Sequence, residues 1–190
     1  MKQTVWLIRH PPVALGWQKR CYGQSDPALS REGQRMAKDL IAQITAWAPD
    51  LVIHSDLRRT RAIAERTAAA ITAVPQWRER HFGDWEGQSW NAVYRASGNA
   101  MDGMLTAPDT YRPGGGETTV ELFERIRQAW LAVPALSRVA IVTHGGPIAC
   151  IRALQQNASI DLLPQLIPGT GEIVETEIYR QSDRVNVSGS

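Results

Sequence analysis

Arginine and histidine side chains follow three separate apolar segments of the chain. They are Arg9 and His10, then Arg58 and Arg59, and finally His144. Arginine forks match the oxygens of a phosphate group with two parallel hydrogen bonds. A neutral histidine at their centre can attack phosphorus and carry the phosphoryl group. Because no serine or cysteine nucleophile motif accompanies these residues, the set predicts a phosphate pocket.

Such a pocket needs a carboxylic acid beside it, which protonates the leaving oxygen and later activates water. Two candidates, Glu79 and Glu86, lie in the charged and aromatic stretch 78–87. Glu86 has a second interpretation as a residue that holds a loop. His81 lies close to Glu79 in the sequence, and a plain hydrogen-bonding role is the simpler interpretation for it.

The apolar segments that precede these residues have the pattern of buried strands. Residues 4–10 contain β-branched and aromatic side chains, and Pro11 and Pro12 end the segment because proline cannot donate to a ladder. Residues 50–54 and 138–144 have the same pattern. In open α/β sheets, ligands bind outside the carboxyl ends of the strands. Three polar strand ends on one edge of a sheet therefore predict an active site there.

Helical segments alternate with these strands, which predicts an α/β domain: a three-layer sandwich with a largely parallel sheet flanked by helices. Ser30 is the expected N-cap of a helix that Pro49 ends. The other expected helices are an alanine-rich one running to about 71 or 73, one near 89–96, one from 118 or 119, and one over 147–155. Short strands are expected at 75–77 and 172–179.

One domain is expected over residues 1–180, followed by a polar tail at 181–190. Residues 88–116 would form a cap or side wall over the sheet edge, and the loop 13–29 could form another wall of the site. Gly114 to Gly116 do not follow an apolar strand, so they are interpreted as a flexible turn rather than a phosphate loop.

The composition is that of an ordinary globular protein, with 43% hydrophobic and 21% charged residues among 190. The net charge is +2 and the basic residues are scattered, so no nucleic-acid partner is expected. Two distant cysteines, Cys21 and Cys150, favour a reducing compartment. With neither a signal peptide nor a membrane span expected, the cytoplasm is the expected location. The expected partner is a small phosphorylated metabolite.

Four stretches together resemble the motifs of the histidine phosphatase superfamily, also called phosphoglycerate mutase-like. They are residues 7–10 (LIRH), 55–60 (SDLRRT), 78–87 (RERHFGDWEG) and 142–146 (VTHGG). The four stretches occur in the family's order and span most of the chain. The resemblance implies a phosphoglycerate mutase-like fold and a mechanism that needs no metal and no cofactor.

The resemblance also implies a role for each site residue. His10 would be the nucleophile that becomes phosphohistidine. Arg9 and Arg59 would hold the phosphate, and His144 would bond the phosphoryl oxygens as negative charge builds up on them. Glu79 sits where the family has its general acid and base.

Residues 21–26 with Leu29-Ser30, together with the compact length, resemble the alpha-ribazole-5′-phosphate phosphatase branch. That branch removes the 5′-phosphate of alpha-ribazole phosphate in cobalamin biosynthesis. Gly23 in this stretch and Arg58 are further candidates for binding the phosphate. The chain departs from the family pattern at Pro11-Pro12-Val13, where many members carry a hydroxyl residue that can contact phosphate.

Four other functions fit parts of the sequence. A broad-specificity phosphatase shares most of these features. The length of 190 residues counts against a phosphoglycerate mutase-type phosphotransferase, and the candidate acid counts against a non-catalytic phospho-ligand binder. The histidine and carboxylate spacings do not support a metal-dependent hydrolase. Four arginines have a simpler interpretation as surface charges: Arg58, Arg61, Arg78 and Arg80. The simpler interpretation of His54 is that it packs in the core.

Overall fold

The computed structural model describes residues 2–179, and within them five strands form one sheet. The strands are β1 (Lys2–Arg9), β2 (Leu51–His54), β3 (Ala70–Ala73), β4 (Arg138–Thr143) and β5 (Ile173–Tyr179). Their order across the sheet is β3-β2-β4-β1-β5. Strands β1 to β4 run parallel, and β5 lies antiparallel to β1 at one edge. The predicted α/β fold with a largely parallel sheet is confirmed, while the tail predicted at 181–190 lies outside the described residues.

Helices cover both faces of this sheet. They are α1 (Arg31–Trp47), α2 (Arg58–Ala64), α3 (Trp90–Ser97), α4 (Gly103–Thr106), α5 (Thr119–Leu131) and α6 (Gly145–Gln156). Helices α1 and α2 bury Leu40, Ile44 and Ile63 against one face. Helices α5 and α6 bury Ile126 and Ile148 against the other. No helix within residues 2–179 has the length and the apolar character that crossing a bilayer requires.

Strand β1 shows why the central strands are apolar throughout. Val5 and Leu7 belong to the core beneath α5 and α6, whereas Ile8 belongs to the core beneath α1 and α2. Successive side chains of a strand point to opposite faces, so a strand covered on both sides must be apolar at nearly every position. The run therefore ends at Arg9, where the strand leaves the two cores.

Two helices begin where polar side chains satisfy free backbone donors. The Ser30 hydroxyl accepts a hydrogen bond of 2.9 Å from the Gly33 amide, as expected for the N-cap of α1. Thr118 and Glu121 form a reciprocal capping box at the start of α5. These caps fix the first turns of the two longest helices; the Ser30 cap was predicted, and the second helix was expected to begin at 118 or 119.

The structure corrects two expected elements between α2 and residue 78. The alanine-rich helix ends at Ala64, and residues 70–73 instead form β3, paired in parallel with β2. Helix propensity is a weak preference, and pairing with a free sheet edge overrides it here. Residues Pro75–Trp77 form a single 3-10 turn and not a strand, with Trp77 buried in the core.

Gly114 and Gly116 are packed against another segment and do not behave as the expected flexible turn. Pro113–Gly115 forms a 3-10 turn whose backbone lies directly against the segment 81–85. A Cβ atom on Gly116 would lie 2.2 Å from the His81 carbonyl oxygen, and one on Gly114 would lie 2.2 Å from that of Phe82. Only glycine permits this approach of one backbone to another. The turn therefore supports the segment that carries Glu79.

Replacing Gly116 with alanine is expected to destabilise the fold by about 1–3 kcal/mol, since the new methyl group must displace backbone. Urea unfolding would measure the change. Gly16→Ala is the matched control, because a Cβ atom at Gly16 meets nothing within 4 Å. Equal stability of the two variants would show that the contact between the two turns is not tight.

Candidate active site

Three strand ends bring their polar side chains together at the carboxyl edge of the sheet. Arg9 is the last residue of β1, and the next amide, of His10, donates to the Thr143 carbonyl of β4 (3.0 Å). His144 follows β4 directly and is the N-cap of α6. The rings of His10 and His144 meet edge to face with centroids 5.1 Å apart. The predicted convergence of the two histidines is present in the structure.

His10 is held as a neutral imidazole with a defined free nitrogen. The side chain is 1% exposed, and its Nδ1 lies 2.7 Å from the Pro11 carbonyl oxygen. A carbonyl can only accept, so Nδ1 carries the hydrogen and Nε2 keeps its lone pair. Burial, then the charge of Arg59 and that of Arg9, lowers the pKa of His10 to about 3. The nucleophilic form is therefore the one present at neutral pH.

Arg59 links the second histidine to the loop after β1. Its Nε donates to His144 Nδ1 (3.2 Å), and its two Nη atoms donate to the carbonyls of Ser25 (2.7 Å) and Gly23 (2.6 Å). Both Arg59 and His144 are fully buried. Burial, then the neighbouring Arg59 charge, holds the pKa of His144 well below its usual value. A fixed cation thus lies beside two neutral histidines.

Arg9 offers an unused donor at the same place. Its Nη1 donates to the Pro168 carbonyl (2.5 Å), whereas its Nε is buried and has no hydrogen-bond partner among residues 2–179. A buried N–H group without a partner costs about 1–3 kcal/mol, so such groups are rare outside functional sites. An anion bound beside Arg9 would satisfy it.

Glu79 lies at the N-terminus of α6. One carboxylate oxygen accepts from the Arg80 amide (2.9 Å) and the other from the Gly146 amide (3.2 Å). A Cβ atom on Gly146 would lie 2.3 Å from Glu79 Oε1, so this approach requires glycine. Glu79, Arg9 and Gly23 line the same cavity, of about 520 Å³. The structure therefore places Glu79, the expected acid, in the same cavity as Arg9, an expected phosphate-binding residue.

The cavity is lined by polar side chains and by an apolar wall. The apolar wall is contributed largely by the excursion after residue 88 and consists of Phe82, Trp90, Met101, Met104, Leu105 and Leu163. His10 is not among the residues that line the cavity, whereas its neighbour Tyr22 is. The centroid of the Tyr22 ring lies 6.3 Å from the centroid of the His10 ring and 5.1 Å from Arg59 Cζ. Tyr22 therefore lies between the lining of the cavity and the buried histidine–arginine cluster in terms of its contacts.

Three other candidates lie outside this cavity. Glu86 accepts hydrogen bonds from the amides of Gln24, Ser25 and Phe82, as its loop-holding interpretation predicts. His81 is exposed and lines a separate cavity with Arg112 and Arg125. Arg58 is also exposed and lines a third cavity, between α1 and α2. The structure does not bring Arg58 to the phosphate ligands.

Arg80 corrects the interpretation of the arginines as surface charges. It is 8% exposed and lines the cavity, with Nη1 donating to Thr119 Oγ1 (3.1 Å) and the Glu117 carbonyl (3.3 Å). Its neighbour Arg78 is half-buried and pairs with Asp56. Sequence analysis also missed Tyr22. The position of Arg80 directly after the candidate acid was the available signal.

Stability toward acid should depend on the two buried histidines. In the unfolded chain both imidazoles have a pKa near 6.5, whereas in the fold the pKa of His10 is about 3 and that of His144 is also well below 6.5. Below pH 6.5 the unfolded state binds more protons, so the free energy of unfolding falls by about 1.4 kcal/mol per pH unit for each histidine. Urea unfolding between about pH 7.5 and 5 measures this slope.

The variant His10→Asn isolates one contribution to that slope. It removes one of the two imidazoles that are kept neutral by burial, so the pH dependence should fall by about half. A slope that is the same in the variant and in the original protein would show that His10 takes up its proton normally in the folded state.

The fold and the buried histidine–arginine cluster define a protein of the phosphoglycerate mutase-like class. Residues 5–189 match the sequence profile of the histidine phosphatase superfamily (branch 1), and the chain belongs to that superfamily. Among residues 2–179, no group of three or more His, Cys, Asp or Glu side chains is arranged to hold a metal ion.

Two similar proteins bear on the activity, and one solved structure shows the shared fold. The chain is 30% identical over 154 residues to the probable phosphoglycerate mutase GpmB of Escherichia fergusonii, covering 77% of this chain and 72% of the relative. It is 29% identical over 176 residues to the glucosyl-3-phosphoglycerate phosphatase of Mycolicibacterium vanbaalenii, covering 84% and 77%. The alpha-ribazole phosphatase structure from Shigella flexneri matches with a TM-score of 0.81 at 19% identity, over 95% and 92% of the chains, which shows the shared fold. The activity is therefore phosphatase or phosphoglycerate mutase-like.

Proposed function

We propose that this chain is a phosphomonoesterase that carries the phosphoryl group on His10 and needs no metal ion or other cofactor. The observation that carries the proposal is the state of His10. Its Nδ1 hydrogen is bound by the Pro11 carbonyl, and burial keeps the ring neutral by lowering its pKa to about 3. Nε2 therefore has a free lone pair beside the cations Arg9 and Arg59.

The reaction proceeds in two displacements. Nε2 of His10 attacks phosphorus, the bond to the leaving oxygen breaks, and Glu79 gives that oxygen a proton. The Glu79 carboxylate then takes a proton from water, the hydroxide attacks phosphorus, and the P–N bond breaks to release phosphate. Arg9 and Arg59 hold the non-bridging oxygens, and Gly23 lets the backbone approach them. His144, whose two ring nitrogens are bound by Arg59 and Ser55, acts by holding the Arg59 guanidinium in place.

The apolar wall of the cavity supports a substrate whose alcohol is large and aromatic. Trp90, Phe82 and the methionines 101 and 104 offer apolar contacts for a flat ring, while Arg9 and Glu79 line the same cavity. We propose alpha-ribazole 5′-phosphate as the substrate, in cobalamin biosynthesis, because its benzimidazole base fits such a wall. The resemblance of residues 21–26 to the alpha-ribazole-5′-phosphate phosphatase branch supports the same substrate. Two free buried cysteines support a cytoplasmic location.

A phosphoglycerate mutase activity is the second candidate, favoured by the relative that bears that name at 30% identity. The substrate of a mutase is small and anionic, so it would leave the apolar wall unused. A broad-specificity phosphatase would use the wall without demanding a particular ring.

The test is phosphate release, with EDTA present, from alpha-ribazole 5′-phosphate, 3-phosphoglycerate, glucosyl-3-phosphoglycerate and an aryl phosphate. Strong preference for the first substrate is the expected result. Similar slow turnover of all four would replace the proposed substrate with broad specificity. A bisphosphoglycerate product would establish the mutase, loss of activity in EDTA would overturn the metal-free mechanism, and no turnover would favour a phospho-ligand binder.

A further inference from the structure

Both ring nitrogens of His144 are bound by one short segment, residues 55–60, which connects β2 to α2. Arg59 Nε lies 3.2 Å from His144 Nδ1. On the other side of the ring, Ser55 Oγ lies 2.8 Å from Nε2, and Thr60 Oγ1 lies 2.8 Å from Ser55 Oγ. All four side chains are buried. The segment therefore controls where the imidazole hydrogen can be.

The hydrogen bonds from Thr60 through Ser55 to His144 are consistent with one direction of donation. The Thr60 hydroxyl has a single hydrogen, and it lies within reach of two backbone carbonyls, those of Ser55 (2.6 Å) and Leu57 (2.9 Å). When the Thr60 hydroxyl donates to one of these carbonyls, its oxygen accepts from the Ser55 hydroxyl. Ser55 Oγ then accepts from His144 Nε2.

The hydrogen bond on the opposite side of the His144 ring indicates the same tautomer. Arg59 Nε–H can only donate, so His144 Nδ1 must be the acceptor. We propose that Ser55 and Thr60 are positioning residues that keep the His144 hydrogen on Nε2, so that Nδ1 faces Arg59. The other tautomer would set an N–H of the ring against the N–H of Arg59 and move this guanidinium away from the phosphate site.

Loss of either hydroxyl should relax this arrangement. Thr60→Val keeps the shape of the side chain but frees the Ser55 hydrogen, which can then turn to His144 Nε2. Ser55→Ala leaves the Nε2–H buried without a partner. Thr60→Ser keeps the hydroxyl and should behave as the original protein does.

Nitrogen-15 NMR of the imidazole rings tests the proposal without depending on activity. The chain has four histidines, so single substitutions assign the signals. The original protein and Thr60→Ser should show His144 protonated at Nε2 alone, and Thr60→Val should show a share of the Nδ1 form. A proton on Nδ1 in the original protein, or unchanged tautomers in both Thr60→Val and Ser55→Ala, would overturn it.

The kinetic consequence rests on the proposed phosphatase function. Groups that orient a site residue commonly change activity by about 10- to 100-fold, so Thr60→Val and Ser55→Ala should lower kcat by that factor with little change in KM. Ser30→Ala is the matched control: it removes another buried hydroxyl, lowers the Tm through the lost cap, and should leave tautomer and kcat unchanged. If no phosphomonoester is hydrolysed, the proposed function fails while the NMR result still decides the tautomer.

Discussion

His10→Ala is expected to lower kcat for phosphate release by about 10⁴- to 10⁶-fold, because it removes the atom that we propose as the acceptor of the phosphoryl group. The proposed phosphate-binding cations Arg9 and Arg59 remain, so binding of inorganic phosphate should persist. In the original protein, denaturation during turnover of a radiolabelled phosphomonoester should trap label on the chain. A P–N bond resists base and is cleaved by acid, so the trapped label should do the same.

His54→Ala is the matched control for this prediction. His54 also ends a strand, is buried, and binds a neighbouring carbonyl, that of Ser55, through Nδ1 (2.5 Å). Its loss should reduce stability but leave the acid-labile label in place. A label that withstands acid, or that survives in His10→Ala, would show that a residue other than this histidine carries the phosphoryl group.

The placement of polar residues at the strand ends could be predicted because strand ends are strongly marked in the sequence. Apolar residues at nearly every position predict a strand covered on both faces, and the first polar residue after the run then lies at the sheet edge. Arg9, His10 and His144 all satisfy this rule, and the parallel pairing of β1 with β4 brings them together. The motif resemblance favoured Arg59 over Arg58 as the second phosphate-binding arginine. In the structure Arg59 is buried and Arg58 is exposed, in agreement with that choice.

The parts that sequence analysis missed depend on contacts between distant segments. Residues 70–73 became an edge strand because β2 had a free edge, which no local pattern reveals. The tight turn at 113–116 depends on backbone from 81–85. Arginine is usually a surface residue, but Arg80 is buried because Thr119 and the Glu117 carbonyl accept its hydrogen bonds. In each case the deciding partner is more than 15 residues away.

Glu79→Gln is expected to separate the two halves of the reaction. With an alkyl phosphate, kcat should fall by about 10²- to 10⁴-fold, because the poor leaving group then departs without a proton. An aryl phosphate leaves as a stable phenolate and does not need the acid in the first step. The variant should therefore release about one equivalent of phenolate rapidly and then turn over slowly, because no base activates water against the phosphoenzyme.

Glu86→Gln decides between the two carboxylates. Glu86 binds the Gln24, Ser25 and Phe82 amides, so its variant should loosen the loop that Arg59 also holds through the carbonyls of Ser25 and Gly23. The expected result is a higher KM and a lower Tm with no burst. A burst in Glu86→Gln and ordinary steady-state kinetics in Glu79→Gln would reverse the assignment of the acid. The geometry favours Glu79, because it lines the same cavity as Arg9, whereas Glu86 is not among the described residues that line this cavity.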